Sequence, residues 1–525
     1  MSDPWWDNAV IYQIYPRSFA DSNGDGIGDL PGITSKLEYI ADLGVDAVWI
    51  SPFFVSPMKD FGYDVADYRA VDPQFGTNAD FDELLEKAHS LGLKIMIDMV
   101  LAHCSDQHPW FVESRKDRTN PKADWFYWMD PKADGTEPNN WLSFFGGRTW
   151  TWDTNRKQYY FHNFLSEQPN LNLSNPEVMD ALMDTCRYWL DKGVDGFRLD
   201  AIHTAKVDNN WADNPPRTLN GSGLPEREFD YQSHDAAQLN QPSIQLLSEN
   251  LRKLVDEYGD RFLMGELDGE DAVAVSKTFT EGNKRLHSTY NFNLLQWDGT
   301  TTDDVRDIIQ GLASNFNDTN AISTAWSNHD MARVYDRMTR KIDVPAAAKD
   351  DFAHMLVQLS TSLIGSTCIY QGEELGLDDA DRLTRDQLQD PWGIQRYSDT
   401  FKGRDTCRTP MTWTADQPNG GFSGDAEVES WLPVDERHIA KGGLVQQGQQ
   451  GSLFERNKNH LAWRKNQLAL MAKGGMEVLD VDEDVIAFNR ASEDGSASML
   501  CLFNFSGTTK TVNGVSVEPW SAAFG

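Results

Sequence analysis

No window of the 525-residue chain reaches 18 consecutive apolar residues, and the N-terminus Met1-Ser2-Asp3-Pro4 lacks the basic region and apolar stretch of a secretory signal. The expectation is a cytoplasmic chain without a membrane span. Cysteine is scarce: Cys104, Cys186, Cys368, Cys407 and Cys501 are odd in number, scattered and without CxxC spacing, which indicates neither a disulfide framework nor a thiolate zinc site. Positive charge is also in short supply. With 47 Lys and Arg against 81 Asp and Glu, the formal net charge of −34 argues against nucleic-acid partners and anionic substrates, because phosphate recruits basic patches. No fixed-period repeat and no low-complexity segment interrupts the chain. What is abundant is aromatic, with 18 tryptophans among the rings, enough to build a core and to line a cleft that stacks sugar faces.

Short apolar runs alternate with helical patterns, the signal of βα units around a parallel sheet. Candidate strands fall at 10–15, 47–50, 94–100, 196–199, 262–265, 289–292, 323–326 and 366–370. Eight of them predict an α/β fold of the (β/α)8 TIM-barrel type, whose active sites are built at the C-terminal strand ends. The stretch between the third and fourth strands is too long for a βα loop. The domain reading is a first part of the catalytic barrel over 1–103, an inserted subdomain over 104–172, the second part of the barrel over 173–473, and a C-terminal antiparallel β-sandwich over 474–525.

Three strand ends carry carboxylates. GVDGFRLDAIH (193–203) places Arg198 and Asp200 two apart on a strand and so on one face; FLMGELDG (262–269) ends with Glu266; WSNHDMAR (326–333) brings His329 and Asp330. Carboxylates gathered in one cleft shift one another's pKa values until one stays protonated at neutral pH, which suits cleavage of a glycosidic bond. Separately, DSNGDGIGD places oxygen donors at Asp21, Asn23, Asp25 and Asp29 with the Ile27 carbonyl between them, the alternation of hard-cation loops, although Gly32 stands where an EF-hand has glutamate.

These motifs, with WWDNAVIYQIYPRSFADSNGDGIGDL (5–30), FGYDVADY (61–68), IMIDMVLAHCSDQHPWF (95–111), IYQGEELGL (369–377) and GRDTCRTPMTW (403–413), run in one order over about four fifths of the chain. The sequence resembles glycoside hydrolase family 13, the α-amylase family, and within it the α-glucosidase and oligo-1,6-glucosidase branch. The resemblance implies Asp200 as nucleophile, Glu266 as general acid and base, and Asp330 as the group holding the hydroxyls of the distorted sugar. It further implies that Arg198 keeps Asp200 ionised and that His103 and His329 bind hydroxyls. Tyr63 would stack on the terminal glucose, and Asp64 would grip its outer hydroxyls with Arg404, or alternatively Arg408. A structural Ca2+ or Mg2+ is expected in the Asp21–Asp29 loop. The implied activity is that of a retaining, exo-acting α-glucosidase on short α-glucosides with maltose-type linkages favoured. A transglucosylase or sucrose isomerase is the enzymatic alternative, and a non-catalytic transporter heavy-chain-like protein the remote one. Two departures stand out. Ala102 replaces the asparagine that often precedes the histidine of the third-strand motif and serves the amylase calcium site, and Gln168-Pro169-Asn170-Leu171-Asn172 carries Asn170 where the family often has aspartate.

Overall fold

The structure, a computed structural model, describes residues 4–205, 210–217, 228–234, 242–268, 272–295, 300–317, 319, 321–471 and 474–525. Gly269, which ends the FLMGELDG motif, and residue 473, at the expected limit of the barrel, lie outside them.

Eight strands close into a parallel barrel: β1 (Val10–Ile14), β2 (Ala47–Ile50), β3 (Lys94–Met99), β4 (Gly196–Leu199), β5 (Phe262–Leu267), β6 (Ser288–Asn291), β7 (Ile322–Ala325) and β8 (Ser366–Tyr370), each beside its neighbour in sequence and β8 beside β1. Nearly every residue in them is buried, as strands covered on both faces must be. β1 stops one residue short of expectation, at the Tyr15-Pro16 step, since proline offers no amide to the ladder.

The chain forms two units, 1–51 with 74–96 and 290–525, and 52–73 with 97–289, so β3 and β6 each pass from one to the other. In the first unit β1 pairs with β2 and β8, and β8 with β7. Its helices begin and end where local chemistry dictates. Asp29 caps Leu30–Leu43 by accepting the Gly32 amide at 2.6 Å, and Gly44 ends that helix at φ 95°. Thr77 with Asp80 and Thr301 with Asp304 form reciprocal capping boxes on Asn78–Ser90 and Thr302–Phe316.

In the second unit β4 and β5 are in register, Gly196 opposite Phe262. A side chain at Gly196 would put its Cβ 2.6 Å from the Phe262 carbonyl oxygen, so the two strands approach only because position 196 has none. The 104–172 stretch contains a three-stranded antiparallel sheet, Trp128–Met129, Gln158–Phe161 and Trp150–Asp153, over a core of Tyr127, Trp141, Trp150 and Phe161. Helix Pro176–Lys192, capped by Asn175, leads back to β4.

The C-terminal region is all antiparallel: a four-stranded sheet (Gly475–Val478, Val485–Ala491, Ser498–Asn504, Ala522–Phe524) and a hairpin (Lys510–Val512, Val515–Val517) enclose Val485, Ala487, Leu500, Leu502, Val512 and Val517. The sequence pattern does not predict the Ala522–Phe524 strand, because a run of small residues gives little alternation to read. No helix among the described residues is long and apolar enough to cross a membrane.

Candidate active site

Arg198, in the middle of β4, organises the polar end of the second unit. Its Nη1 donates to both oxygens of Asp98 on β3 at 2.8 and 2.9 Å and to Asp200 Oδ1 at 2.8 Å, while Nη2 lies 2.5 Å from Glu266 Oε2 on β5. Burial works against the guanidinium's charge, but Asp98, Glu266, Tyr63 and Asp200 more than offset it and hold Arg198 protonated well above its usual range. One positive charge thus faces three carboxyl groups, so the cluster as a whole favours retaining a proton. Burial also raises the Asp98 carboxyl, opposed by Arg198 and by the Tyr63 hydroxyl that donates to Oδ2 at 3.1 Å. Asp98 has no exposed side-chain surface, whereas Asp200 and Glu266 retain 10% and 11%, an open edge that a ligand can meet.

Directly after Asp200 the chain turns back. Ala201 takes the left-handed conformation, φ 37° and ψ 39°, and a 3-10 turn follows over Ile202–Thr204. This reversal points the Ala201 amide at Glu266 Oε2, 2.7 Å away. Oε2 therefore receives two donors, and a proton held by this carboxyl belongs on Oε1.

His103 and Asp64, also expected at the site, lie in the same unit. His103 is buried, and desolvation lowers its imidazole to about 4, so it is neutral at pH 7. Nε2 lies 3.0 Å from the Tyr63 carbonyl and 3.2 Å from the Gln168 amide nitrogen, and Nδ1 has no partner among the described residues. Asp64 is buried and turned into its own loop: Oδ1 accepts Ser56 Oγ at 2.8 Å and the Asp60 amide at 3.0 Å, and Oδ2 accepts the Lys59 amide at 2.9 Å. Burial pushes it up to about 6 despite those three donors. Gln168 donates to Asp60 Oδ2 at 3.1 Å.

The first unit assembles a second group after β7. His329 is fully buried, stacked on Tyr15, with Nδ1 2.7 Å from the Gln13 amide nitrogen and Nε2 3.2 Å from Asp330 Oδ2. With Gln13 donating, the ring proton sits on Nε2 and is shared with Asp330. Both candidate arginines reach the same carboxylate: Arg408 Nη2 at 2.7 Å and Arg404 Nη1 at 3.3 Å from Asp330 Oδ1. Arg404 also grips Asp390 through Nε and Nη2, at 3.1 and 2.8 Å. Asp330 is held at Oδ1 by the arginines and at Oδ2 by His329, yet keeps 28% of its side chain exposed, an edge that a ligand can meet.

In the Asp21–Asp29 loop the oxygen donors are of the right kind for a hard cation, yet loop groups already use them. Asp21 accepts the amides of Asn23, Gly24 and Gly26, Asp25 accepts that of Ile27, and Asp29 accepts Ser22 and Gly32. Among the described residues no three His, Cys, Asp or Glu side chains gather as a metal-binding group.

Sequence reasoning passed over Asp98 and Asp390. The signal for the first was an aspartate inside the apolar strand Lys94–Met99; the signal for the second was Asp-Pro at a helix start, where Asp390 caps Pro391–Gln395.

Comparison with known proteins bears on this arrangement. Residues 13–474 match the family described as alpha amylase, catalytic domain. The chain is 47% identical to a probable alpha-glucosidase of Rhizobium meliloti (strain 1021), over 97% of this chain and 90% of that one, and 34% identical to an oligo-1,6-glucosidase of Halalkalibacterium halodurans, over 96% and 91%. A crystal structure of the alpha-glucosyl transfer enzyme XgtA superposes with a TM-score of 0.91 at 46% identity, covering all of both chains.

Proposed function

Because the chain belongs to the α-amylase family, we propose that it is a retaining, exo-acting α-glucosidase that releases glucose from the non-reducing end of short α-glucosides, maltose-type linkages above all. The observation that carries this reading is the contact of one buried guanidinium with both Asp200 and Glu266 at the ends of adjacent strands. A retaining pair needs its carboxyl groups roughly 5 to 5.5 Å apart, closer than an inverting pair, and a shared arginine holds them close.

In this mechanism Asp200 attacks the anomeric carbon as Glu266 delivers its proton to the departing glycosidic oxygen, giving a β-glucosyl ester and the free aglycone. Glu266, now a carboxylate, takes a proton from water, whose oxygen attacks the same carbon and expels Asp200, so α-glucose is released and the acid is restored. Arg198 keeps Asp200 ionised through a charge-assisted contact. Asp330, His329, His103, Tyr63 and Arg404 are assigned to the glucose, by hydroxyl contacts and ring stacking, whereas Asp64, whose oxygens bond its own loop, is assigned to holding the Tyr63 loop rather than to the expected grip on the outer hydroxyls. Fresh product read by NMR should be the α anomer; β-glucose appearing first would overturn retention.

Transglucosylation is the second reading, favoured by the similarity to a glucosyl transfer enzyme. It uses the same ester and replaces water with a sugar hydroxyl. Product analysis on maltose and on sucrose separates the two, as glucose release marks hydrolysis and longer or isomerised sugars mark transfer.

For the loop after β1 we assign a structural Ca2+ or Mg2+ to Asp21, Asn23, Asp25, Ile27 and Asp29 on donor chemistry; the ion would tie down the loop and take no part in the chemistry. Verified metal removal should lower the melting temperature, and an unchanged one would leave a plain turn. We place the enzyme in the cytoplasm, in keeping with five buried free thiols.

A further inference from the structure

A cavity of about 790 Å3 opens within the first unit, between helices Lys349–Ser360 and Leu453–Lys465 and the strands Ser498–Asn504 and Ala522–Phe524. Its volume is in the range of small-molecule sites, and none of its lining residues belongs to the proposed chemistry.

The side chains that line it carry no unpaired charge although the protein is strongly acidic. Arg456 is neutralised by Asp351 at 2.8 Å. Two histidines line it, and desolvation lowers His354 to about 4 and His460 to about 3, so both rings are uncharged at pH 7. Their tautomers follow from their partners. His354 Nδ1 lies 2.7 Å from Asn457 Oδ1, an acceptor, so that nitrogen carries the proton. Thr361 Oγ1 donates its hydrogen to the Val357 carbonyl, so His460 Nε2, 2.9 Å from that oxygen, is also a donor. Each ring is left with one acceptor nitrogen. Gln358, Asn459 and Gln467 add amides that both donate and accept, and Trp463 and Phe524, 4.6 Å apart between centroids, add ring surface.

Acceptor nitrogens, side-chain amides and aromatic rings without net charge match a polyhydroxylated, uncharged ligand: hydroxyls satisfy the amides, and the C–H face of a sugar covers a ring. Among the described lining side chains a phosphate or carboxylate would find no free cation. We propose that this cavity is a second, non-catalytic binding site for short neutral oligosaccharides. That these are α-glucosides rests on the α-glucosidase reading.

Met499 lies in the lining and serves as a reporter. The full-length Asp200→Asn variant, labelled at its methionine methyl groups and titrated with maltotriose to tens of millimolar, should show a saturable shift of the Met499 resonance, assigned through Met499→Leu. Adding Gln358→Ala and Gln467→Ala, two half-buried positions, should abolish the shift while leaving the melting temperature within a few degrees, and the same pair in the wild-type background should leave maltose turnover unchanged. A Met499 resonance that does not move, or that moves equally when both glutamines are replaced, would overturn the site. Failure of the α-glucosidase reading is read separately, as absence of turnover in the wild-type enzyme.

Discussion

Replacing Glu266 by glutamine removes a proton and little else. The carbonyl oxygen of the introduced amide can accept both Arg198 Nη2 and the Ala201 amide, as Glu266 Oε2 does at 2.5 and 2.7 Å, so the strand ends and Asp200 stay in place. The amide nitrogen then stands where the acid's hydroxyl stood and has no proton to give. General acid catalysis contributes roughly 10^2 to 10^4 in rate, which at about 1.36 kcal/mol per factor of ten is about 2.7 to 5.4 kcal/mol of the barrier for a sugar leaving group. A nitrophenolate leaves without protonation, so formation of the ester from nitrophenyl α-glucoside should be nearly spared. Its hydrolysis still needs a base, so the ester accumulates. Stopped-flow absorbance should show a burst of nitrophenolate equal to the enzyme concentration and a slow steady state. Azide, which needs no base, should accelerate that steady state and give α-glucosyl azide. If maltose and the nitrophenyl substrate lose activity equally, with no burst and no azide rescue, Glu266 is not the acid.

Asp200→Asn should lower turnover of every substrate by several orders of magnitude with an unchanged melting temperature, since the covalent route is lost; activity within about tenfold of wild type would refute the assignment. Glu373, buried in the IYQGEELGL motif, is raised to about 8 by burial, with the neighbouring Glu374 charge adding to the rise. Unfolded Glu373 ionises from about 4.5 upward while folded Glu373 stays neutral, so its contribution to stability falls as pH rises from about 4.5 and is gone once pH passes about 8. Denaturant titrations should show a shallower loss in that window for Glu373→Gln. Ala201→Val should shift preference from maltose toward isomaltose by roughly 1 to 3 kcal/mol in relative kcat/KM, by narrowing the space beside the scissile bond. It should also lower the melting temperature, because a β-branched residue is strained at φ 37°. A wild-type enzyme strongly favouring isomaltose would contradict the first half.

The barrel was legible because strands buried on both faces appear as bare apolar runs, and the strand-end carboxylates because they interrupt those runs at their C-terminal ends. Asp98 interrupts a run too, but one aspartate has no meaning until its partner is known, and Arg198 lies 100 residues away in sequence. Asp64 shows the opposite difficulty. The motif around the Tyr-Asp pair favours a grip on a ligand over an ordinary turn, and the turn bonds from Ser56, Lys59 and Asp60 are visible only in three dimensions.

The two departures from the family pattern, Ala102 and Asn170, are coupled in the structure. Asn170 is fully buried; its Oδ1 accepts the Asn163 amide at 2.8 Å, and its Nδ2 donates to the carbonyls of Ala102 and Thr204, each at 3.3 Å. The Thr204 carbonyl also accepts Asn163 Nδ2 at 2.8 Å. An aspartate at 170 could take the Asn163 amide, but it would face two carbonyl oxygens with nothing to donate, an arrangement that repels unless a cation lies between them. Asparagine supplies N–H groups where such a cation would supply charge. The segments it joins are the one before His103 and the one after Asp200, and its own residue forms an antiparallel bridge with His103. The side-chain amides of Asn163 and Asn170 therefore fasten the segment before His103 to the one after Asp200, and the alanine at 102 and the asparagine at 170 meet in that one set of bonds.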